Sequence, residues 1–166
     1  MRKKEREITN RAEIDAILAE TKVIRVAFAV DGEPYIVPLS HGYDADAGAL
    51  YIHTAVEGRK IDCIAVNPRV CFEVEGDARV KEGDERACSW GALFESVIGH
   101  GTIREVDDAA ERERALLRIM SQQSGREADW TFAGKVLQLT RVWAIGIESV
   151  TGKRSGPPRR TAGTST

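Results

Sequence analysis

A glycine followed by two cations stands where a strand-like pattern gives way to a helical one. The stretch Tyr51–Pro68 reads YIHTAVEGRKIDCIAVNP, with Gly58, Arg59 and Lys60 at the junction. The first backbone N–H groups of a helix lack intrahelical partners and carry partial positive charge. Gly58 lets a ligand approach the backbone, Arg59 offers a planar pair of donors, and Lys60 adds a compact cation. These residues predict a cradle for a phosphate group, with a solvated basic turn as the alternative.

The strand before this junction would form part of the same site. Alternation along ALYIHTA places His53 and Ala55 on one face and Ile52 and Thr54 on the other. A flat ligand held by its phosphate at the helix would extend back along this strand end. His53 is the candidate for chemistry beside such a ligand, and the alternative is a strand-end histidine with satisfied hydrogen bonds.

Composition excludes several classes of partner. The chain has 166 residues and a net charge of −2, which indicates one domain and gives no basic footprint for nucleic acid. No apolar run reaches the roughly 20 residues of a membrane helix, and the charged N-terminus lacks the apolar segment of a signal peptide. The three cysteines and three histidines show no metal-binding spacing, so we predict reduced thiols, no metal and a cytoplasmic location.

Local patterns divide the chain into strands and helices around the junction. Asn10 with Glu13, and Asp108 with Glu111, predict two helix starts, and Asp31-Gly32 predicts a tight hairpin turn. The predicted helices are 10–20, 59–66 and about 109–123. The predicted strands are 22–30, 34–43, 49–55, 69–76, 94–106 and 136–150, and residues 77–91 are predicted to form a loop.

Six strands joined mostly by short turns predict a mainly β fold with an antiparallel sheet. Apolar residues at both parities in IRVAFAV and VWAIGI indicate burial on both faces, as in a small barrel covered by helices or by a second subunit. Pro38 predicts a sheet edge or bulge, and Gly99 and Gly101 predict a bend in a closed sheet. We expect one domain over residues 1–153 and a disordered tail over residues 154–166, which has nothing to bury.

Five segments, in this order, resemble one known family. They are PYIVPLSHGY, ALYIHTAVEGRKID, NPRVCFEVEG, CSWGALFESVIGHGTI and ESVTGK, and the likeness spans about residues 1–153. Together they resemble the nitroimidazole-resistance (Nim-type) branch of the pyridoxamine 5'-phosphate oxidase-like, FMN-binding split-barrel superfamily. The resemblance implies a six-stranded antiparallel split β-barrel with a few flanking helices. It also implies a homodimer that binds one flavin per subunit, FMN or alternatively FAD, in clefts at the subunit interface.

The resemblance assigns roles to the residues around the junction. Thr54, Arg59 and Lys60 match the flavin-phosphate site of the family, in agreement with the predicted cradle. His53 matches a histidine near the flavin and is the catalytic candidate, as a donor of a proton or hydrogen bond. The cofactor-binding set that follows is Val37, Pro38, Leu39, Ser40, His53, Thr54, Ala55, Gly58, Arg59, Lys60, Ser96 and Trp143.

Other members of this set lie further from the junction in the chain. The strand Val37-Pro38-Leu39-Ser40 matches the segment that runs along the isoalloxazine ring. Trp143 is a candidate neighbour of that ring, and a packing role in the core or interface is the alternative. One more region resembles family segments that approach the cofactor, often from the partner subunit. It lies around Ser89, Trp90, Ser96 and Ile98.

The resemblance implies a flavin-dependent reductase that passes electrons to a nitroaromatic or similar small acceptor. The oxidases proper of the superfamily carry a C-terminal Arg-x-His segment that grips the substrate phosphate. Here all three histidines precede residue 101 and the tail contains PPRRTAGT, so we do not expect vitamin B6 oxidation. The alternatives are a protein that binds flavin or haem without turnover, and a structural dimer without a cofactor.

Overall fold

The computed structural model describes residues 3–157 and shows strands wrapped into a barrel with helices packed against it. The strands in this range are β1 (Glu7–Ile8), β2 (Val23–Val30), β3 (Glu33–Asp44), β4 (Ala49–Thr54), β5 (Arg69–Glu75), β6 (Arg79–Lys81), β7 (Gly91–Glu105) and β8 (Arg141–Ser155). The helices are α1 (Arg11–Glu20), α2 (Arg59–Val66), α3 (Ala109–Ser124) and α4 (Gly134–Gln138), with short 3-10 turns at Lys4–Arg6 and Ala87–Ser89.

Six of these strands close into a barrel. Neighbouring strands pair antiparallel in the order β8-β4-β3-β2-β5-β7, and β7 pairs in turn with β8 to complete the circuit. The short strands β1 and β6 pair with β8 and β7, and the sequence patterns did not predict them. The predicted class, a mainly β antiparallel split barrel with a few helices, is confirmed, with eight strands in the described chain in place of six.

The inward faces of the strands form a continuous apolar core. On β2, Ile24, Val26 and Phe28 point inward and are almost inaccessible to solvent, as alternation along a strand requires. α1 adds Ile17 and Leu18 to the same cluster. A second buried cluster lies outside the barrel, where α3 covers β4 and β8, which explains why β8 is apolar at both parities. On β2 the outward residues Val23, Arg25 and Ala29 are exposed within the subunit. No helix in the described range is long and apolar enough to cross a membrane.

Local signals place the longer helices and the first hairpin. The side chain of Asn10 accepts a hydrogen bond from an amide in the first turn of α1 (3.0 Å), and Asp108 does the same for α3 (2.8 Å). α3 ends at Gly125, which is in the left-handed conformation with φ 69°. Asp31 and Gly32 both have positive φ, as a two-residue type I′ hairpin turn requires. These local predictions are confirmed.

The start of the last strand differs from the prediction. The segment 136–150 was expected to be strand throughout, but Gly134–Gln138 forms α4 and β8 begins only at Arg141. Arg141 lies opposite Thr54, the last residue of β4. The strand therefore begins where a partner strand becomes available, which the apolar pattern of VLQLT could not indicate.

Two further boundaries also depend on pairing. Residues 77–91, predicted to be a loop, contain β6, which pairs with the start of β7, and the short turn Ala87–Ser89. β8 continues to Ser155, two residues into the predicted tail, because its ladder with β7 extends to Phe94↔Ser155. Residues 158–166 of that tail lie outside the described residues.

The glycine pair that was predicted to bend β7 lies at a bulge. The β7–β8 ladder changes register between His100 and Gly101, and the extra residue, Glu148, is on β8. A bend of β7 itself stays a prediction. A Cβ at Gly99 would come within 2.3 Å of the Phe72 ring, and one at Gly101 within 2.3 Å of the Gly146 carbonyl oxygen. Both glycines are therefore required by close approach across the barrel.

Candidate functional site at the split of the barrel

β3 and β4 pair over only part of their length and then diverge. Their ladder has four residue pairs and ends at His41↔Ile52. In the described chain, residues 33–40 of β3 then pair only with β2, while the last two residues of β4 pair only with β8. One edge of β3 therefore presents backbone N–H and C=O groups to the gap. Pro38 lies in this stretch, so the predicted sheet edge is confirmed.

The N-terminus of α2 offers free backbone donors. Gly58 is the N-cap, and no described side chain caps the helix start. The amides of Ile61 and Asp62 donate to the Gly58 carbonyl at 2.8 and 3.3 Å. The amides of Arg59 and Lys60 have no acceptor among residues 3–157. Two N–H groups at the positive end of the helix are thus available to an anion.

Gly58 has a backbone conformation that glycine tolerates best. Its φ is 127° and its ψ is 163°. A Cβ on this residue would meet no atom within 4 Å. The conformation, not crowding, therefore requires glycine here, and the space beside the helix start is open.

The two cations of the junction add charge to these donors. Arg59 is exposed, and its guanidinium carbon lies 4.5 Å from the centre of the Tyr35 ring on β3. This contact shows that α2 begins against the diverging stretch of β3. Lys60 is half-buried. Within the described chain neither cation is in an ion pair with a carboxylate, so both remain available to a ligand.

The predicted ring-contact strand offers backbone more than side chains to the gap. Val37 and Leu39 are half-buried and pack against the barrel core, while Pro38 and Ser40 are exposed on the opposite face. Their alternation follows the pleat of β3. The edge between these two faces is the part of the strand that borders the gap.

The end of β4 is braced by the last strand. Trp143 is buried, and its indole N–H donates to Oγ1 of Thr54 (3.0 Å). The Thr54 hydroxyl donates in turn to the carbonyl of Ala55 (2.8 Å). Thr54 and Trp143 are thus engaged with each other within the subunit, and contact of Trp143 with a flavin ring stays a prediction. Ala55 and His53 are exposed, and His53 has no hydrogen-bond partner in the described chain.

The remaining predicted residues lie in another part of the barrel. Ser96 and Ile98 are on β7, and Ser89 and Trp90 precede that strand. In the sheet order β2 and β5 separate β7 from β3. The structure therefore does not bring these four residues to the gap of their own subunit, and their approach from a partner subunit stays a prediction.

His41 fixes the point where the strands separate. It is fully buried, and burial lowers the pKa of its imidazole. Its Nε2 lies 3.1 Å from the carbonyl of Leu18, to which it can donate, and 3.0 Å from the amide nitrogen of Gln122, from which it can accept, so its role depends on the tautomer. α3 holds the neighbouring backbone, because Gln123 donates to the His41 carbonyl (2.9 Å) and the Tyr43 amide donates to Gln122 (2.8 Å). The last paired residues of β3 are therefore held in place by two helices.

The gap is open on one side. Four surface cavities of about 230 to 470 Å³ occur elsewhere on the described chain, and the residues of the junction line none of them. No group of three or more metal-ligating side chains is present in the described range. The arrangement is that of an open cleft with free helix-start amides and two cations at one end and a backbone edge along β3.

Tyr35 is the cleft residue that sequence reasoning missed. The two-residue turn places Phe28 opposite Tyr35, and their ring centres are 6.0 Å apart. The hairpin register could have predicted that pair. The contact with Arg59 could not have been predicted, since it depends on how α2 packs against β2, the neighbour of β3.

A closed antiparallel barrel in which two strands part at one end is a split barrel. The family model described as pyridoxamine 5'-phosphate oxidase matches residues 10–154. This match covers most of the chain, which therefore belongs to that family, as its sequence resemblance predicts. A search of curated proteins found no match.

Solved structures agree with this assignment. A candidate 5-nitroimidazole antibiotic resistance protein from Bacteroides thetaiotaomicron is 25% identical, with a TM-score of 0.76 over 89% of this chain and 85% of the other. An FAD-binding protein from Mesorhizobium loti is 26% identical, with a TM-score of 0.66 over 91% and 98%. An FAD and haem binding protein from Mycobacterium smegmatis, 21% identical, shares the fold with a TM-score of 0.74 over 94% and 77%.

Proposed function

We propose that this protein is a homodimeric flavoprotein that binds FMN at the split of the barrel and acts as a reductase of nitroaromatic or similar small acceptors. The observation that carries the proposal is the uncapped start of α2, where two free amides and two unpaired cations meet. A phosphate monoester suits these donors in charge and geometry. Support also comes from the relative named as FAD-binding, which is 26% identical to this chain.

Different residues of the cleft would bind different parts of a flavin. Arg59, Lys60 and their amides would bind the 5'-phosphate, which FMN and FAD share. The open edge of residues 33–40 would donate and accept hydrogen bonds at the rim of the ring system. His53 is exposed beside this edge and would supply a proton or hydrogen bond. Bound flavin supplies the redox chemistry, carrying electrons from a reductant to an acceptor.

The choice of acceptor rests on the relative named for 5-nitroimidazole resistance, which is 25% identical to this chain. Vitamin B6 oxidation is not proposed despite the family name, because the sequence resembles the nitroimidazole-resistance branch and not the oxidases proper.

The outer face of β3, β2, β5 and β7 is the proposed dimer surface. Val23, Ile36 and Ile98 on this face are 44%, 60% and 46% exposed. Between them Arg25 pairs with Glu73 at 2.9 Å, which places charge at the centre of the face. Exposed apolar residues grouped on one face are typical of an interaction surface. A second copy seated there would border the open cleft and cover its exposed side.

The flavin site is tested by removing its two cations. In the Arg59→Ala, Lys60→Ala double variant, we expect loss of bound flavin with an unchanged circular dichroism spectrum. The control is Arg126→Ala, Lys135→Ala, which removes the same charge from exposed positions outside the cleft. The measurement is the ratio of flavin to protein after purification. Full flavin content in the first double variant would refute the site.

The dimer is tested by placing charge on its proposed surface. Ile36→Glu should convert the dimer to a monomer in sedimentation velocity, because a buried carboxylate without a partner is costly. Val136→Glu, at an equally exposed position on α4, should leave the dimer intact. A monomeric wild-type protein would refute this part of the proposal.

The alternative function is binding of flavin or haem without turnover, since exposed His53 could serve as a ligand. Absorption spectroscopy of the purified protein separates these functions. Flavin bands, and reoxidation of the reduced protein by a nitroaromatic, would support the reductase. Flavin that no acceptor reoxidises would favour storage, and a Soret band would favour haem. Mass spectrometry of the released cofactor distinguishes FMN from FAD.

A further inference from the structure

Three side chains form a stack that leads from the barrel core to the cleft. Phe28 is buried, and its ring lies 6.0 Å from that of Tyr35 with an interplanar angle of 27°. Tyr35 is half-buried and packs against the core. The guanidinium carbon of Arg59 lies over the Tyr35 ring, 4.5 Å from its centre. The stack thus joins an exposed cation to a rigid part of the molecule.

The geometry of this contact leaves Arg59 free to bind an anion. A guanidinium stacked on an aromatic ring uses its face, whereas its N–H donors radiate within its plane. In the described chain no carboxylate competes for those donors. Arg59 therefore presents a fork of N–H groups beside the free amides at the start of α2.

Stacking also reduces the entropic cost of binding. A solvated arginine side chain samples many rotamers and loses that freedom when it grips a ligand. Contact with Tyr35 restricts Arg59 before the ligand arrives, so that less freedom is lost on binding. Lys60, a flexible point charge without a described ring contact, has no comparable restraint.

We infer that Tyr35 is a positioning residue for phosphate recognition, acting through Arg59 without touching the phosphate. This inference rests on the proposed flavin function, because the phosphate is that of the flavin. Its effect should appear in affinity for FMN and be missing for riboflavin, which has the same ring system and no phosphate. Cation–π contacts at exposed sites predict about a 2- to 5-fold effect.

The test compares Tyr35→Phe and Tyr35→Leu by fluorescence titration of the flavin-free protein with FMN and with riboflavin. Tyr35→Phe keeps the ring and should match the wild type. Tyr35→Leu keeps apolar bulk but loses the ring, and should raise the Kd for FMN about 2- to 5-fold while leaving the Kd for riboflavin unchanged. In an Arg59→Ala background, Tyr35→Leu should cause no further rise in the Kd for FMN. This double-mutant cycle isolates the effect of the Tyr35–Arg59 contact.

The outcomes separate this inference from the function on which it rests. If the wild type binds neither flavin, the proposed function fails. If Arg59→Ala weakens FMN binding but Tyr35→Leu does not, only the positioning role is overturned. Equal weakening of FMN and riboflavin by Tyr35→Leu would also overturn it, because that result indicates ring contact or a disturbed fold. Unfolding temperatures of all variants identify the disturbed fold.

Discussion

Replacing Arg154 by Met should destabilise the protein, because it removes the cation that two carboxylates on distant elements share. Arg154, near the end of β8, donates from Nη1 to Glu13 of α1 at 2.6 Å and from Nε to Glu95 of β7 at 3.3 Å. The side chains of Arg154, Glu13 and Glu95 are only 12%, 22% and 9% exposed. The variant would remove the cation and keep both anions in a poorly solvated site.

The expected cost follows from this burial. Breaking a buried ion pair by removing one partner costs about 3–5 kcal/mol. Glu13 is partly solvated, so the lower end applies and we expect a loss of about 3 kcal/mol in the free energy of unfolding. For a chain of this length that loss lowers the Tm by about 6–12 °C.

Thermal and urea unfolding of the purified protein measure this effect. Arg86→Met is the matched control, because Arg86 pairs with Asp84 at the same 2.6 Å distance but on the surface. It should leave the Tm almost unchanged. Glu13→Gln, Glu95→Gln, Arg154→Met removes all three charges together and should recover much of the lost stability.

Two results would contradict this reasoning. A wild-type Tm for Arg154→Met would show that the buried contacts contribute nothing. A triple variant no more stable than Arg154→Met would show that lost packing, and not charge left in a poorly solvated site, causes the effect.

Three further predictions test the fold around the cleft. Burial lowers the pKa of His41 in the folded protein, so at acidic pH the unfolded chain binds a proton at this residue more readily than the folded chain does. The free energy of unfolding should therefore fall as the pH drops below about 6.5, and it should be fully recovered above that pH. Urea titrations at about pH 5.5 and 7.5 should show this difference, and His41→Gln should reduce it. Gly42→Ala should cost about 1–3 kcal/mol, since a Cβ would lie 2.5 Å from the Ile119 amide nitrogen, whereas Gly134→Ala, with open space, should be neutral or slightly stabilising in the same titration. Gly58→Ala should cost about 1–3 kcal/mol through its φ of 127°; an unchanged urea midpoint would contradict the assigned conformation.

The sequence determined the features that depend on neighbouring residues. Asn10 and Asp108 start helices because their side chains accept from amides in the same turn. Asp31-Gly32 sets the register of the first hairpin because a two-residue turn leaves one pairing. Gly58, Arg59 and Lys60 stand where a strand-like pattern gives way to a helical one, so the phosphate cradle could be proposed from the sequence alone.

The tertiary structure decided which residues surround that cradle. Tyr35 reaches Arg59 because α2 packs against β2, the neighbour of β3, and Trp143 meets Thr54 across residues far apart in the chain. From the sequence alone, Trp143 could contact the flavin ring or pack in the core or interface. The structure shows that Trp143 is buried and hydrogen-bonded to Thr54, which the sequence could not indicate because these partners are far apart in the chain.

The C-terminal part of the chain shows the same division. Arg154 lies in a segment whose composition is typical of a basic tail, with few apolar residues nearby in the sequence to bury. β8 nevertheless extends to Ser155, since β7 supplies a partner strand and Glu13 and Glu95 supply charge. Barrel closure is a non-local event, in which residues far apart in the chain, such as Phe94 and Ser155, are paired. Helix caps and turns are encoded within a few residues, whereas strand ends and buried ion pairs are set by whatever the closed sheet brings together.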